Sequence, residues 1–116
     1  AHVLLSHVDK VVDREYHREI AATGARVELD QAFRWKDGPN GTLQVLEWLV
    51  EDGLTDHVTL GLDAARQGYW EAYGGSPGIP WFVDGLSALL SERGIGEDVK
   101  RRFYVDNPTA AYTFIE

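Results

Sequence analysis

Three short apolar runs of the sequence each end close to a side chain that can bind a metal ion or transfer a proton. Imidazole nitrogen and carboxylate oxygen suit zinc, manganese and related ions in hydrolases, where the ion acidifies a bound water and polarises the bond to be cleaved. A carboxylate that binds the ion through one oxygen can hold the attacking water with the other and accept its proton. The side chains are those of His7, Asp30 and Asp63, and Asp63 suits this double role.

The apolar runs predict buried strands, and a helical pattern follows each of them. Three strands that alternate with helices imply parallel pairing and right-handed crossovers, which is an α/β fold. Because the carboxyl ends of parallel strands meet at one edge of a sheet, His7, Asp30 and Asp63 are expected to open into one space. The predicted strands are 3–6, 25–29 and 57–62, and the predicted helices are 13–23, 43–52, 81–93, 96–104 and a short one from 107.

Local signals predict where these helices begin and end. Gly24 and Gly53 stand where a glycine in the left-handed conformation commonly ends a helix. Thr42 is predicted to cap the second helix and Asn107 the last one. The predicted buried positions include Val12, Tyr16 and Ile20 in the first helix and Ala111 and Phe114 in the last.

Two further histidines are assigned no chemistry. His17 lies among charged residues in the middle of a predicted helix, so we expect it to be solvated. His57 lies at the start of its strand, which places it at the opposite, structural end of the sheet.

The chain length fits part of a larger barrel. A complete (β/α)8 barrel of about 250 residues uses roughly 31 residues for each unit. Three units and a helical tail account for 116 residues, and a chain of this size has room for one core. We therefore expect residues 1–116 to form a single domain. Since a strand opens the chain without a preceding turn, we also expect it to be a piece of something longer.

The composition narrows the choice of partners. Eleven Lys and Arg against nineteen Asp and Glu give a formal charge of −8, which disfavours binding to nucleic acid and to anionic membranes. The hydrophobic fraction of 44% predicts a folded globular protein, and without a membrane-spanning run or a leader pattern a cytoplasmic location is expected. The chain has no cysteine, so any metal must be held by His, Asp or Glu.

Each candidate also has a purely structural interpretation. A histidine after an apolar strand is often only a hydrogen-bonded structural residue, and an aspartate there is often a helix or turn cap. The run Gly74 to Gly78 is compatible with a phosphate-binding loop or with a mobile lid. The alternative to an enzyme is a non-catalytic, stand-alone α/β domain that binds or oligomerises.

Five motifs, spread in order over the whole chain, extend this pattern. They are Val3-Leu4-Leu5-Ser6-His7-Val8-Asp9, Gly24-Ala25 with Leu29-Asp30, Leu60-Gly61-Leu62-Asp63 with Arg66, Gly74-Gly75, and Asn107-Pro108. In residue type and spacing they resemble the C-terminal part of the phosphotriesterase family, in the amidohydrolase superfamily.

The resemblance implies strands six to eight of a (β/α)8 TIM-type barrel with C-terminal helices and a two-metal centre. Family members take their ligands from an His-x-His on the first strand, a carboxylated lysine on the fourth, histidines on the fifth and sixth, and an aspartate on the eighth. His7 matches the sixth-strand histidine, and Asp63 matches the eighth-strand aspartate, which is also the proposed base. Asp30 matches the seventh-strand acid beside the substrate pocket. The implied activity is cleavage of a small-molecule ester, lactone or phosphoester with a divalent metal, for which zinc is the expected ion.

The chain departs from the family at the residue after the seventh-strand acid. Some members have a histidine there and lactonase-like members have an arginine, whereas this chain has Gln31. Arg66 is expected to hold a substrate carboxylate or phosphate, unless it pairs with Asp30 or Asp9. The loop aromatics are suited to an apolar substrate pocket or to packing on the barrel rim; they include Trp35 and Tyr69, with Phe33, Trp70 and Tyr73.

The fragment by itself lacks most of the implied centre. His7 and Asp63 are only two of six ligands, so the isolated chain is expected to be inactive. Cutting a barrel also leaves two open strand edges, at 3–6 and at 58–62, and we expect the fragment to self-associate through them.

Overall fold

The computed structural model describes residues 3–114 and contains a parallel sheet of three strands in the order β1-β2-β3. The strands are β1 (Leu4–Ser6), β2 (Arg26–Leu29) and β3 (Val58–Leu60). Leu5 lies beside Val27, and Val27 lies beside Val58, so the strands are in register at the middle of the sheet. The parallel α/β fold predicted from the sequence is confirmed, with strands shorter than expected.

Five helices follow the strands. They are α1 (Arg14–Ala22), α2 (Gly41–Glu51), α3 (Gly85–Glu92), α4 (Glu97–Arg101) and α5 (Asn107–Tyr112), and a π-helical turn at Arg102–Asp106 joins the last two. Within residues 3–114, none of the helices has the length and apolarity needed to cross a bilayer.

The sequence signals for helix ends are confirmed at the glycines and wrong at one cap. Gly24 and Gly53 follow α1 and α2 with φ of 83° and 72°, a conformation that glycine adopts at low cost. The cap of α2 is Asn40, whose side chain accepts a hydrogen bond from the Leu43 N–H at 3.2 Å. Thr42 lies inside the helix instead, and its hydroxyl donates a hydrogen bond to Asp9 Oδ2.

The core lies between the sheet and helices α2 and α3. Side chains of β2 and β3 pack against the leucines of both helices and against Phe103. Burying a leucine of this kind contributes roughly 1.5–3 kcal/mol. The fully or almost fully buried apolar residues include Val27, Leu29, Val58, Leu43, Leu46, Leu49, Leu86, Leu90 and Phe103.

The buried face of α1 differs from the prediction. Val12 precedes the helix, and both Val12 and Tyr16 are exposed, while Ile20 is only half-buried. His17, expected to be solvated, is 1% exposed, and its Nε2 lies 2.7 Å from the carbonyl oxygen of Val11. The imidazole is buried because it satisfies a backbone group of the turn that leads into α1.

The C-terminal helix is anchored differently from the sequence prediction. Asn107 does not cap α5, because the backbone is already helical before it. Its buried side chain donates from Nδ2 to the carbonyl oxygens of Thr55 and Val58, both at 2.7 Å, and so ties the helix to the amino end of β3. Ala111 is half-buried, and Phe114, predicted to be in the core, is 95% exposed.

In the described range, 3–114, the sheet has two open edges, because β2 alone is paired on both sides. Leu5 in β1 and Val3 just before it are exposed apolar side chains. Unpaired strand edges of this kind favour association with another chain.

We expect the 116-residue chain to self-associate in a concentration-dependent manner. Sedimentation velocity over a wide concentration range is the measurement, and the sedimentation coefficient should rise with concentration. Leu5→Lys places a charge on the edge strand and should shift the equilibrium towards monomer. A compact monomer at high concentration would contradict the expectation.

Candidate functional site

The three predicted residues meet at the carboxyl end of the sheet. His7 directly follows β1, Asp30 directly follows β2, and Asp63 lies three residues beyond β3. Each offers a ligand atom, and these atoms all lie within 4.8 Å of one another. His57 precedes β3 at the opposite end, where its Nδ1 lies 3.0 Å from the Ala25 carbonyl oxygen, as expected for a structural residue. His7 and Asp63 therefore lie close together at one end of the sheet, and their chemical roles remain predictions.

Backbone strain is concentrated at the same two residues. Of the non-glycine residues in the described range, 3–114, only His7 and Asp63 have positive φ, at 63° and 48°. The left-handed conformation costs most residues with a side chain roughly 1–2 kcal/mol, and it costs less for aspartate and histidine, which are enriched there. Strain of this kind clusters at functional sites, where the surrounding contacts hold it in place.

Asp30 is the partner of His7. The Nδ1 of His7 lies 2.7 Å from Asp30 Oδ2, and the two side chains are 48% and 2% exposed. The hydrogen bond to Asp30, together with its negative charge, raises the pKa of His7. A carboxylate on Nδ1 leaves Nε2 as the nitrogen that can bind a metal, and such carboxylate–histidine pairs commonly orient metal ligands.

The Gln31 side chain contacts His7, Asp30 and Asp63. This role of Gln31 was not predicted from the sequence. Its Nε2 donates to Asp30 Oδ1 at 2.6 Å and to Asp63 Oδ2 at 3.2 Å, and it lies 3.4 Å from His7 Nδ1. The side chain that marks the departure from the family therefore lies at the centre of the site.

Arg34 is a second residue that the sequence did not identify. Its Nη1 donates to Asp63 Oδ2 and, at 2.7 Å, to Gln31 Oε1, while Nη2 donates to the Asp63 carbonyl oxygen at 2.5 Å. These bonds hold the pKa of Asp63 below its usual value, chiefly through the side-chain hydrogen bond from Arg34. The spacing of Gln31 and Arg34 in the sequence could have indicated this contact. The short 3-10 helix over Ala32–Arg34 puts side chains three positions apart on one side of the loop.

A cavity of about 650 Å³ lies beside this network. Its wall combines aromatic rings with cations: the Arg34 guanidinium lies 5.0 Å from the Phe33 ring centre and 5.2 Å from that of Tyr69. Trp35 also lines the cavity, with its Nε1 donating to the Thr42 hydroxyl at 2.9 Å. No carboxylate of the described part of the chain lines the cavity. Its principal lining residues are Phe33, Arg34, Trp35, Lys36, Tyr69 and Trp81.

Two other residues predicted to bind substrate, Arg66 and Asp30, do not line the cavity. Arg66 is exposed and lines a separate groove of about 350 Å³ with Trp70 and Tyr73. Among residues 3–114, Arg66 has no ion pair with Asp30 or Asp9, and the arginine that pairs at the site is Arg34, with Asp63. Asp30 is buried, with both carboxylate oxygens engaged by His7 and Gln31. Roles in substrate binding for Asp30, Arg66, Trp35 and Tyr69 remain predictions.

The glycine-rich loop does not form a phosphate cradle. The N–H groups of Gly75, Ser76 and Gly78 donate to the backbone carbonyls of Trp70, Gly68 and Tyr69, at 2.8 to 3.0 Å. Because these donors are satisfied within the loop, they are not free to bind an anion.

The donor set fits a divalent cation. One imidazole and two carboxylates form the cluster, which is the one metal-type grouping in the described residues. Imidazole nitrogen and carboxylate oxygen are both ligand types that zinc accepts.

Parallel βα units with histidine and aspartate at the carboxyl ends of the strands are a common arrangement in TIM-type (β/α)8 barrels. The family model of the phosphotriesterase family matches residues 1–112. The chain therefore belongs to the phosphotriesterase family, as the sequence motifs indicate.

Named relatives agree with this assignment. A phospho-furanose lactonase of Mycoplasmopsis synoviae is 31% identical over 121 residues, which cover 98% of this chain and 34% of the relative. The crystal structure of a lactonase from Listeria monocytogenes is 30% identical with a TM-score of 0.86, over 97% of this chain and 36% of that one.

A more distant structure shares the fold. The phosphotriesterase homology protein from Escherichia coli, solved with phosphate in its active site, is 21% identical with a TM-score of 0.87, over 96% of this chain and 38% of that one. The chain spans about one third of the length of each of these proteins.

Proposed function

We propose that residues 1–116 form the C-terminal part of a metal-dependent hydrolase that cleaves lactone or phosphoester bonds. The observation that carries this proposal is the meeting of His7, Asp30 and Asp63 at the carboxyl end of a parallel sheet, within 4.8 Å. The remaining ligands come from other strands of the complete barrel, so the fragment alone is inactive.

Each residue of the cluster has a role in this proposal. His7 and Asp63 are ligands of a divalent metal, for which we propose zinc because the donors are imidazole and carboxylate. When bound, the metal acidifies a water and polarises the bond to be cleaved. Asp63 would accept a proton from the attacking water. Asp30 holds the His7 ring through Nδ1, and Arg34 donates to Asp63 Oδ2 and so fixes the orientation of that carboxylate.

We propose further that the substrate carries an anionic group. Arg34 and Lys36 line the cavity beside the cluster, in a protein whose net charge is −8. Arg66 lies on the same loop as Tyr69 but lines a separate groove, so its guanidinium can bind a phosphate or carboxylate in bidentate fashion only where that group extends beyond the cavity. Tyr69 and Trp35 supply apolar surface for the body of the substrate, and the name of the phospho-furanose lactonase relative supports a phosphorylated sugar lactone.

The complete protein should hydrolyse a phosphorylated furanose lactone in preference to the same lactone without phosphate. A charged hydrogen bond of about 1.5–3 kcal/mol corresponds to a KM roughly ten to a hundred times lower for the phosphorylated substrate. Steady-state kinetics on both lactones and on a phosphotriester make the comparison. Arg66→Ala should raise KM for the phosphorylated lactone alone.

The matched control is Arg93→Ala. Arg93 lies away from the site, where its Nη1 is 3.0 Å from Glu47 Oε1. This variant should leave both KM values unchanged. If the complete, metal-loaded protein hydrolyses none of the three substrates, the proposed function is wrong.

A further inference from the structure

Asp9 carries a fully buried carboxyl group two residues after His7. Its Oδ2 accepts a hydrogen bond from the backbone N–H of Gln31 at 2.8 Å and another from the Thr42 hydroxyl at 2.6 Å. Its Oδ1 has no hydrogen-bond partner among the described residues. Burying a carboxylate with one oxygen unsatisfied costs stability, so the two bonds that it does make are of particular interest.

These bonds are not those of a local turn cap. The partners of Asp9 lie 22 and 33 residues further along the chain. Gln31 lies in the loop after β2 and Thr42 in the first turn of α2, whereas Asp9 itself lies in the loop after β1. Asp9 therefore connects the segment that carries His7 to the segment that carries Asp30 and Gln31.

The link to Gln31 reaches the functional groups directly. The backbone of Gln31 is held by Asp9, and the side chain of the same residue contacts His7, Asp30 and Asp63. A shift of this backbone moves the amide and the neighbouring Asp30, and hence the carboxylate on His7 Nδ1. The Thr42 hydroxyl, which also accepts from Trp35 Nε1, supports Asp9 from the other side.

We propose that Asp9 is the positioning residue of this site, which places Gln31 between His7, Asp30 and Asp63 by holding its backbone N–H. The kinetic consequence rests on the proposed function, but the structural consequence does not. The role requires a hydrogen-bond acceptor at this point, and an amide oxygen can accept the same two bonds as the carboxylate oxygen.

The test compares Asp9→Ala with Asp9→Asn in the complete protein. In Asp9→Ala, the Gln31 amide of the metal-free protein should exchange with deuterium at least about tenfold faster, since its acceptor is gone. The visible spectrum of the cobalt-substituted protein should change, and kcat should fall about ten- to a hundredfold with little change in KM, the range found when support of a metal ligand is removed. Asp9→Asn should restore all three properties. If Asp9→Ala does not fold, Asp9→Leu provides the same comparison with a side chain of similar shape.

Two control variants separate positioning from general destabilisation. Thr42→Val removes the other partner of Asp9 and should leave the Gln31 amide protected. Asn107→Ala breaks two buried hydrogen bonds at the far end of β3, so it should lower stability without changing the cobalt spectrum or kcat.

Two results would overturn the inference. One is that the Gln31 amide of Asp9→Ala exchanges with deuterium at the wild-type rate. The other is a kinetic loss no larger than that of Asn107→Ala. A complete protein that neither binds metal nor hydrolyses substrate would refute the proposed function, while the exchange measurement would still decide the role of Asp9.

Discussion

Asp63→Asn in the complete protein is expected to lower kcat by about a thousandfold or more, because the variant loses both a charged metal ligand and the proton acceptor. Asparagine has nearly the same shape as aspartate and tolerates the left-handed conformation that residue 63 adopts, with φ of 48°. Its side-chain oxygen can still accept the hydrogen bond from Arg34. The fold should therefore survive, with Tm within a few degrees of the wild type.

Steady-state kinetics and thermal unfolding on the same samples test this expectation. Asp56→Asn is the matched control, because Asp56 is exposed next to the amino end of β3, opposite the site. It should retain wild-type kcat. If Asp63→Asn keeps more than a tenth of the activity, Asp63 is not the base, and a carboxylate from another part of the barrel must accept the proton.

The location of the site could be predicted from the sequence because it depends on topology. Parallel strands bring their carboxyl ends together whatever the details of their loops, so apolar runs followed by His7, Asp30 and Asp63 were enough. The helix ends at Gly24 and Gly53 were also predictable, since each depends on one residue with an unusual backbone conformation.

The network within the site could not be predicted, because it depends on side chains that reach across loops. The bonds from Arg34 to Asp63 and from the Gln31 N–H to Asp9 join residues 29 and 22 positions apart. Nothing in local periodicity distinguishes these residues from surface charges. His17 illustrates the same limit, since its burial depends on the carbonyl of Val11 and not on the polarity of its neighbours.

The isolated 116-residue chain is expected to bind zinc no more tightly than the micromolar range, whereas the complete protein should bind it stoichiometrically with nanomolar affinity. This difference of three decades corresponds to about 4 kcal/mol. The resemblance to the family assigns only two ligands of a six-ligand centre to this chain. In addition, Asp30 already pairs with His7, and Arg34 already pairs with Asp63. A metal must compete with these pairs, and without the other ligands it gains too little to do so.

Isothermal titration of both proteins with zinc makes the measurement, and His7→Ala is the informative variant. It should weaken binding to the complete protein by removing one ligand, and it should have little effect on the isolated chain. A stoichiometric nanomolar site in the isolated chain would contradict the assignment of ligands. It would mean that Asp30 binds the metal together with His7 and Asp63, so that the hydrogen bond between Asp30 and His7 would be exchanged for two bonds to the same ion.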